Sequence, residues 1–253
     1  MAILKTPEEI KIMAEAGRIL AEVLQSLKKE VKEGVSTNSI DKLAKKLIEK
    51  AGATPAFLGY RSGKEGKAFP ASICASINEI VVHGLPSDIP LKKGDIVSID
   101  TGVKYKNFNA DSAFTVAIGV VPNEIRKLLN ITEEAMYLGI KAACVGNTLG
   151  DIGFAIQNHV QKNNYSIVES LTGHGIGRNL HESPNVLNLG KPGAGEEIVE
   201  GMVLAIEPMV SVGKGRIQQL PDDSFCMEDG SLSAHFEHTI AIIRSGPKIL
   251  TKI

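Results

Sequence analysis

Four carboxylic acids stand at matched places in otherwise apolar stretches: Asp100 in GDIVSIDTG, Asp111 in DSAFTV, Glu207 in GMVLAIEPM and Glu237 in SAHFEHT. In an extended strand, residues two apart share a face. Ile96, Ser98 and Asp100 then lie together, as do Val203, Ala205 and Glu207. Asp111 shares a face with Ala113 and Thr115, and Glu237 with His235 and Thr239. The small neighbours Ser98 and Ala205 leave room beside their acids. An uncompensated carboxylate in such surroundings costs several kcal/mol or takes up a proton. Four at repeated positions need a common compensation, which bound cations supply. His174 is the fifth candidate. It lies in LTGHGIGRNLHESP, where Gly173, Gly175 and Gly177 alternate and permit close backbone approach and unusual dihedrals. His181 follows it in the same segment. Oxygen-rich donors with one imidazole suit Mn²⁺, Fe²⁺, Co²⁺ or Zn²⁺. Two such ions roughly 3.5–4 Å apart acidify a shared water and polarise a carbonyl, so the implied reaction is hydrolysis.

Competing motifs fail. There is no HExxH, GHGIGR lacks the dinucleotide-binding spacing, and VGKGR at 212–216 has no Ser or Thr after its Lys. No GxSxG is present, which removes the nucleophile-elbow hydrolases. The 28 Lys+Arg against 29 Asp+Glu give a net charge of −1, unlike the basic excess of a nucleic-acid binder. With no Trp, 7 Phe and 4 Tyr there are few platforms for stacked bases. Three scattered cysteines without CxxC (Cys74, Cys144, Cys226) argue against a disulfide framework or a thiolate zinc site. No apolar run nears the ~18 residues of a membrane span, and the MAILKTPEEI start has no signal-peptide core. The expectation is a soluble cytoplasmic protein.

The elements that must position these residues come in two similar series. Thr6-Pro7-Glu8-Glu9 has the form of a capping box and opens a helix with Ile10, Met13, Leu20, Leu24, Leu27 and Val31 on one face, stopping near Gly34. Ser36 or Thr37 caps a second helix, with Ile40, Leu43, Ala44, Leu47 and Ile48 on its buried side. A Gly/Lys-rich loop spans 59–70, followed by strand-like segments from Ser72, Glu79, Ile96 and Ala113. The pattern then restarts at Pro122. Ile152, Ile156 and Val160 match Ile40, Ala44 and Ile48 at an offset of 112, and Glu207 matches Asp100 at an offset of 107. A length of 253 residues fits one large domain or two small ones. The repeat predicts one catalytic α+β domain over 1–253, built from pseudo-symmetric helix-helix-strand halves (about 1–120 and 121–253) around a central antiparallel sheet.

On SINEIVVHGLP, GDIVSIDTG, DSAFTV, LTGHGIGRNLHESP, GMVLAIEPM and SAHFEHT, the chain resembles the type I methionine aminopeptidases, metallopeptidases of the pita-bread fold, essentially end to end. The resemblance implies two divalent cations held by Asp100, Asp111, His174, Glu207 and Glu237. Asp111 and Glu237 would bridge them, Asp100 would serve one ion, and His174 and Glu207 the other. It implies that Glu207 is also the general base, that His83 contacts the scissile amide nitrogen, and that His181 stabilises the oxyanion. It places Tyr60, Phe69 and Cys74, with Leu180 before His181, in an apolar pocket for a methionine side chain. Cys74 is then a soft pocket thiol, with a plain buried cysteine as the alternative. The chain departs from the family in a longer loop at Arg61–Ala68, in Phe225 where an aromatic residue, often Trp, is usual, and in His235 where Gln is usual. By alternation His235 faces the metal side, either as a donor behind the ligands or as a merely packed or solvated side chain. His159 and His238 receive no role.

The implied function is removal of the initiator methionine from nascent chains whose second residue is small. A proline-directed peptidase or amidinohydrolase of the same fold is the rival. Such relatives carry an extra N-terminal domain, whereas the 99 residues before Asp100 are accounted for by helices and strands. A non-catalytic binding relative tends to lose ligands, and all five are present here. Lysines such as Lys28, Lys42, Lys45 and Lys46 could touch a ribosome, but interspersed Glu22, Glu30 and Glu49 favour a solvated face. A monomer is expected.

Overall fold

A computed structural model describes residues 1–61 and 66–252. The central part of the Arg61–Ala68 loop, 62–65, lies outside the described residues. Helix α1 (Pro7–Glu30) begins where predicted. Thr6 Oγ1 accepts the Glu9 N–H at 3.3 Å, and the Glu9 carboxylate accepts the Thr6 N–H at 3.0 Å. Ser36 caps α2 (Thr37–Lys50), which buries Ile40, Ala44 and Ile48 and leaves Leu43 and Leu47 half-buried. Five strands follow: β1 (Thr54–Pro55), β2 (Cys74–Ile77), β3 (Ile80–Val82), β4 (Ile96–Tyr105) and β5 (Phe108–Ala117). The last begins earlier than the apolar pattern indicated, because Asn109 and Asp111 are both buried within it.

The second helix pair is α3 (Asn123–Ala142) and α4 (Leu149–Lys162). At the start of α4 the Asp151 carboxylate accepts both the N–H and the O–H of Thr148, each at 2.8 Å. Then come β6 (Ser166–Ile167), β7 (Thr172–Gly175), β8 (Glu182–Leu187), β9 (Val203–Ile206) and β10 (Met209–Ser211). The remaining strands are β11 (Ile217–Gln219), β12 (Phe225–Met227), β13 (Ser233–His235), β14 (Glu237–Ile243) and β15 (Gly246–Ile249).

The main sheet runs β1-β4-β5-β14-β9-β7-β8, with β2 added on β4 and β15 on β14, and its pairings are antiparallel. Small sheets β13-β10-β6 and β11-β12-β3 stand beside it. The helices cover one face. Val97, Ile99, Leu204, Ile206 and Ile240 point into a core shared with Leu20 of α1, Ile40 of α2, Leu128 of α3 and Ile152 of α4. The alternate residues of the same strands are thereby committed to the opposite face.

Register decides what that face carries. Asp100 lies opposite Ala113 on β5, and Ala113 lies opposite Glu237 on β14. Asp111, two residues before Ala113, is the diagonal neighbour of both acids. On β9, Ala205 lies opposite Thr239 on one side and His174 on the other. Glu207 follows Ala205 by two and turns to the same face. Five donors from five different strands or strand ends therefore meet on the concave side of one sheet.

Candidate metal centre

Asp111, His174 and Glu237 each present a donor atom within 4.8 Å of the other two, and all three residues are buried (4%, 7% and 2% exposed). His174 Nδ1 lies 2.9 Å from the Gly175 carbonyl oxygen, which can only accept. Nδ1 therefore holds the ring proton, and Nε2 offers its lone pair to the site. Nε2 is 3.4 Å from Glu207 Oε1. Asp100 lies outside the tight triad but is close enough to Asp111 for the two carboxyls to share a proton.

The electrostatics are those of a site made for positive charge. Burial, followed by repulsion from the neighbouring carboxylates, raises Asp100, Glu207 and Glu237 well above the usual carboxylate range. Burial pushes Asp111 up to about 7. Burial lowers His174 to about 4, so its imidazole is neutral. Asp100 Oδ1, Asp111 Oδ1 and Glu237 Oε1 are buried without a hydrogen-bond partner. Orphaned anionic oxygens beside a lone-pair nitrogen fit divalent cations of the Mn, Fe, Co or Zn kind.

A pH effect follows for the metal-free protein. These carboxyls have higher pKa values folded than unfolded, so the folded state holds more protons. Stability is then lost as pH rises from the ordinary carboxylate range through the folded values, near 7 for Asp111. Each group contributes at most about 1.4 kcal/mol per pH unit within its window. Metal-free protein is expected to melt at a higher temperature near pH 5 than near pH 8, and a divalent cation to restore the loss at the higher pH. Scanning calorimetry of both forms checks this, and a metal-free melting temperature that climbs with pH contradicts it.

Hydroxyl side chains hold the acid-bearing strands in place. Thr239 Oγ1 accepts the Asp111 N–H at 2.9 Å and donates to the Asp111 carbonyl at 2.8 Å. Ser112 Oγ donates to the Glu237 carbonyl at 2.6 Å. Thr115 Oγ1 accepts the His235 N–H at 2.9 Å and donates to the His235 carbonyl at 2.7 Å. These bonds stand where the β5–β14 ladder is only two residues long. Ser98 does not leave open room as its size suggested, because its hydroxyl lies 2.8 Å from Thr115 Oγ1. Ala205 is close-packed too. A Cβ at Gly173 would sit 2.3 Å from the Ala205 carbonyl oxygen. The alternating glycines of the His174 segment serve such close approach, and their φ values are not positive.

Around this centre stand the other predicted residues. The Tyr60 hydroxyl lies 2.5 Å from His181 Nδ1, and the His181 and His174 rings are 4.3 Å apart. His83 has φ 61°, in the left-handed region uncommon for residues other than glycine, and its ring meets the edge of Phe225 at 5.7 Å. Phe225 thus stands beside one of the exposed histidines. Cys74 lies opposite Asp100 in the β2–β4 ladder, and burial, followed by Asp100 and Asp111, pushes its thiol well up. It is no nucleophile. Cys74, Leu180, Tyr60 and Phe69 share an apolar cluster with Phe57, which sequence reasoning missed. Phe57 packs edge-on against Phe69 at 6.3 Å. His235 is buried, not solvated, with Nε2 3.5 Å from Glu207 Oε2. His159 pairs with Glu134 at 3.0 Å on the helical side, and His238 lies between Tyr137 and Thr251.

Comparison with known proteins agrees with this arrangement. The model of metallopeptidase family M24 matches residues 11–244. A methionine aminopeptidase of Clostridium perfringens is 48% identical over 254 residues, with all of both chains covered. The crystal structure of methionine aminopeptidase from Thermotoga maritima superposes with a TM-score of 0.95 at 39% identity, covering 100% of each chain. A prolidase from Pyrococcus furiosus superposes with a TM-score of 0.80 at 25% identity, but only 66% of that chain is covered.

Proposed function

The chain belongs to metallopeptidase family M24, and from that premise we propose that it is a metal-dependent aminopeptidase that removes the N-terminal methionine of new polypeptides whose second residue is small. The observation that carries the reading is the convergence of Asp111, His174 and Glu237 on one buried point, flanked by Asp100 and Glu207, beside an apolar cluster. In this reading Asp100, Asp111, His174, Glu207 and Glu237 would hold divalent cations, for which their orphaned oxygens and lone-pair nitrogen provide the donors. When bound, such cations supply Lewis acidity and make water acidic enough to react near neutral pH.

The chain's own groups do the rest. Glu207, with one oxygen facing His174, accepts the proton of the attacking water and returns it to the leaving amine. With the Tyr60 hydroxyl donating to Nδ1, His181 carries its proton on Nε2 and donates it to the oxygen where charge develops. His83 contacts the scissile nitrogen. Tyr60, Phe69, Cys74, Leu180 and Phe57 form an apolar wall suited to an unbranched thioether. The full-length match to a methionine aminopeptidase, set against the partial match to a prolidase, supports this specificity over a proline-directed one.

Residues 1–253 act as one catalytic domain, with Asp100 and Asp111 supplied by the first half and His174, Glu207 and Glu237 by the second. New chains are made in the cytoplasm, which sets the place of action. No helix among the described residues is long and apolar enough to cross a membrane. Lys45 pairs with Glu49 along α2, and Lys32, just past the end of α1, pairs with Glu30, as a solvated face would, so no ribosome contact enters the reading.

Release of methionine from Met-Ala-Ser, set against Leu-Ala-Ser, with and without a chelator, tests the proposal. We expect Met-Ala-Ser to be cleaved at least about tenfold faster, since a branched side chain overfills a pocket shaped for a linear one. Chelation should abolish both rates. Full activity after complete metal removal overturns the mechanism, and preference for X-Pro peptides overturns the specificity.

A further inference from the structure

One buried ion pair lies outside the donor set and next to it. Lys5 Nζ is 2.6 Å from Glu182 Oε2, with side chains 4% and 2% exposed. The same ammonium donates to the Ile3 carbonyl at 2.7 Å. Glu182 uses its other oxygen, Oε1, to accept the Asn179 N–H at 3.0 Å, closing the turn in which His181 stands. A Cβ at Gly177 would lie 2.4 Å from Lys5 Cε and 2.8 Å from Glu182 Oε1, so the pair rests directly on the segment joining His174 to His181. Asn109, two residues before Asp111, ties that segment down from β5 by donating to the Gly177 and Arg178 carbonyls at 2.9 and 3.0 Å. Through its backbone, Lys5 donates to the Gly201 carbonyl at 2.8 Å, at the approach to β9, which Glu207 directly follows. Lys5 thereby touches two of the three segments that bring second-half residues to the centre, those of His174 and Glu207.

A buried ion pair is weak evidence of stability, because desolvation offsets its attraction. Its geometry is the more informative property. Glu182 follows His181 directly and is buried, whereas His181 is exposed and its ring is held by Tyr60. From this we infer that Lys5 is a positioning residue, which acts through Glu182 to fix His181 at the distance and angle needed to donate to the reacting oxygen. The inference rests on the role given above to His181.

A double-mutant cycle on the metal-loaded enzyme, with Met-Ala-Ser as substrate, tests it. His181→Ala should lower kcat about a hundredfold, as for loss of one oxyanion donor. Lys5→Met should lower kcat about tenfold, with KM and calorimetric metal affinity within about twofold of the parent. In the His181→Ala background, Lys5→Met should cost less than about twofold, because the group it positions is gone. Equal losses in both backgrounds, or an unchanged kcat for Lys5→Met, overturn the inference and leave His181's role standing. A His181→Ala variant with full kcat overturns that role and the inference with it. If Lys5→Met does not fold, because Glu182 is left buried and unpaired, Lys5→Met/Glu182→Gln replaces it in the cycle. That pair buries no charge and keeps an acceptor for Asn179, and the same outcomes decide.

Discussion

Asp111→Ala should cost at least about three orders of magnitude in kcat/KM, the scale on which a cation's charge stabilisation acts. Asp111 is the diagonal neighbour of both Asp100 and Glu237 and belongs to the buried triad with His174. Its backbone is pinned by Thr239 through two hydrogen bonds that do not involve the carboxylate. The substitution therefore removes the donor and leaves the strand in place. Two readings should move in opposite directions. Calorimetric titration should find metal stoichiometry reduced, while the metal-free variant melts at a higher temperature than the metal-free parent near pH 8. The second effect follows because one buried carboxyl, whose proton affinity the site has raised to about 7, is gone. Activity within tenfold of the parent, with metal content unchanged, contradicts the assignment.

Gly173→Ala is the largest expected loss of stability. The new methyl would lie 2.3 Å from the Ala205 carbonyl oxygen and 3.4 Å from Glu207 Cγ. The obstacle is backbone in the middle of a sheet. Ala205 pairs with Thr239 on its other side and cannot retreat without disturbing β14. Ordinary overpacking costs about 1–3 kcal/mol, with a side chain as the yielding partner. Here the strands themselves must part, and we expect about 4 kcal/mol, or a fall of roughly 10 °C in Tm. The next residue is His174, so metal affinity should fall as well. A thermal melt with parallel metal titration checks both, and a Tm within about 2 °C of the parent rules the account out.

The parts of the fold that depend on neighbours in sequence were legible without coordinates. Thr6 and Glu9 announce α1, and Ser36 announces α2, because capping is settled within three residues. Alternation in IVSID and VLAIE puts each acid on the face opposite the core residues Ile99 and Ile206. What could not be read is set by register between distant strands. Nothing in the spacing of Ser112, Thr115 or Thr239 says that each hydroxyl will bond a strand more than a hundred residues away. Ser98 was misleading for the same reason: a small residue reads as space until its partner across the ladder is known. Phe57 and the Lys5–Glu182 pair, 177 residues apart, belong to the same class. His235 looked ambiguous because its alternative, solvent, is excluded only by the packing of the whole sheet.

The order of the donors along the chain also has a consequence in time. Asp100 and Asp111 belong to one local hairpin, whose strands meet at Tyr105 and Phe108. Glu237 joins them only when β14 docks on β5, a contact that spans 128 residues between Asp111 and Thr239. Pairings of such separation are slow to form compared with hairpins. A cation present during refolding would first meet two acids on a local hairpin and find its remaining donors only after the long-range pairing. Tight metal capture is therefore a clock for the end of folding: it should lag behind hairpin formation and keep pace with the docking of β14.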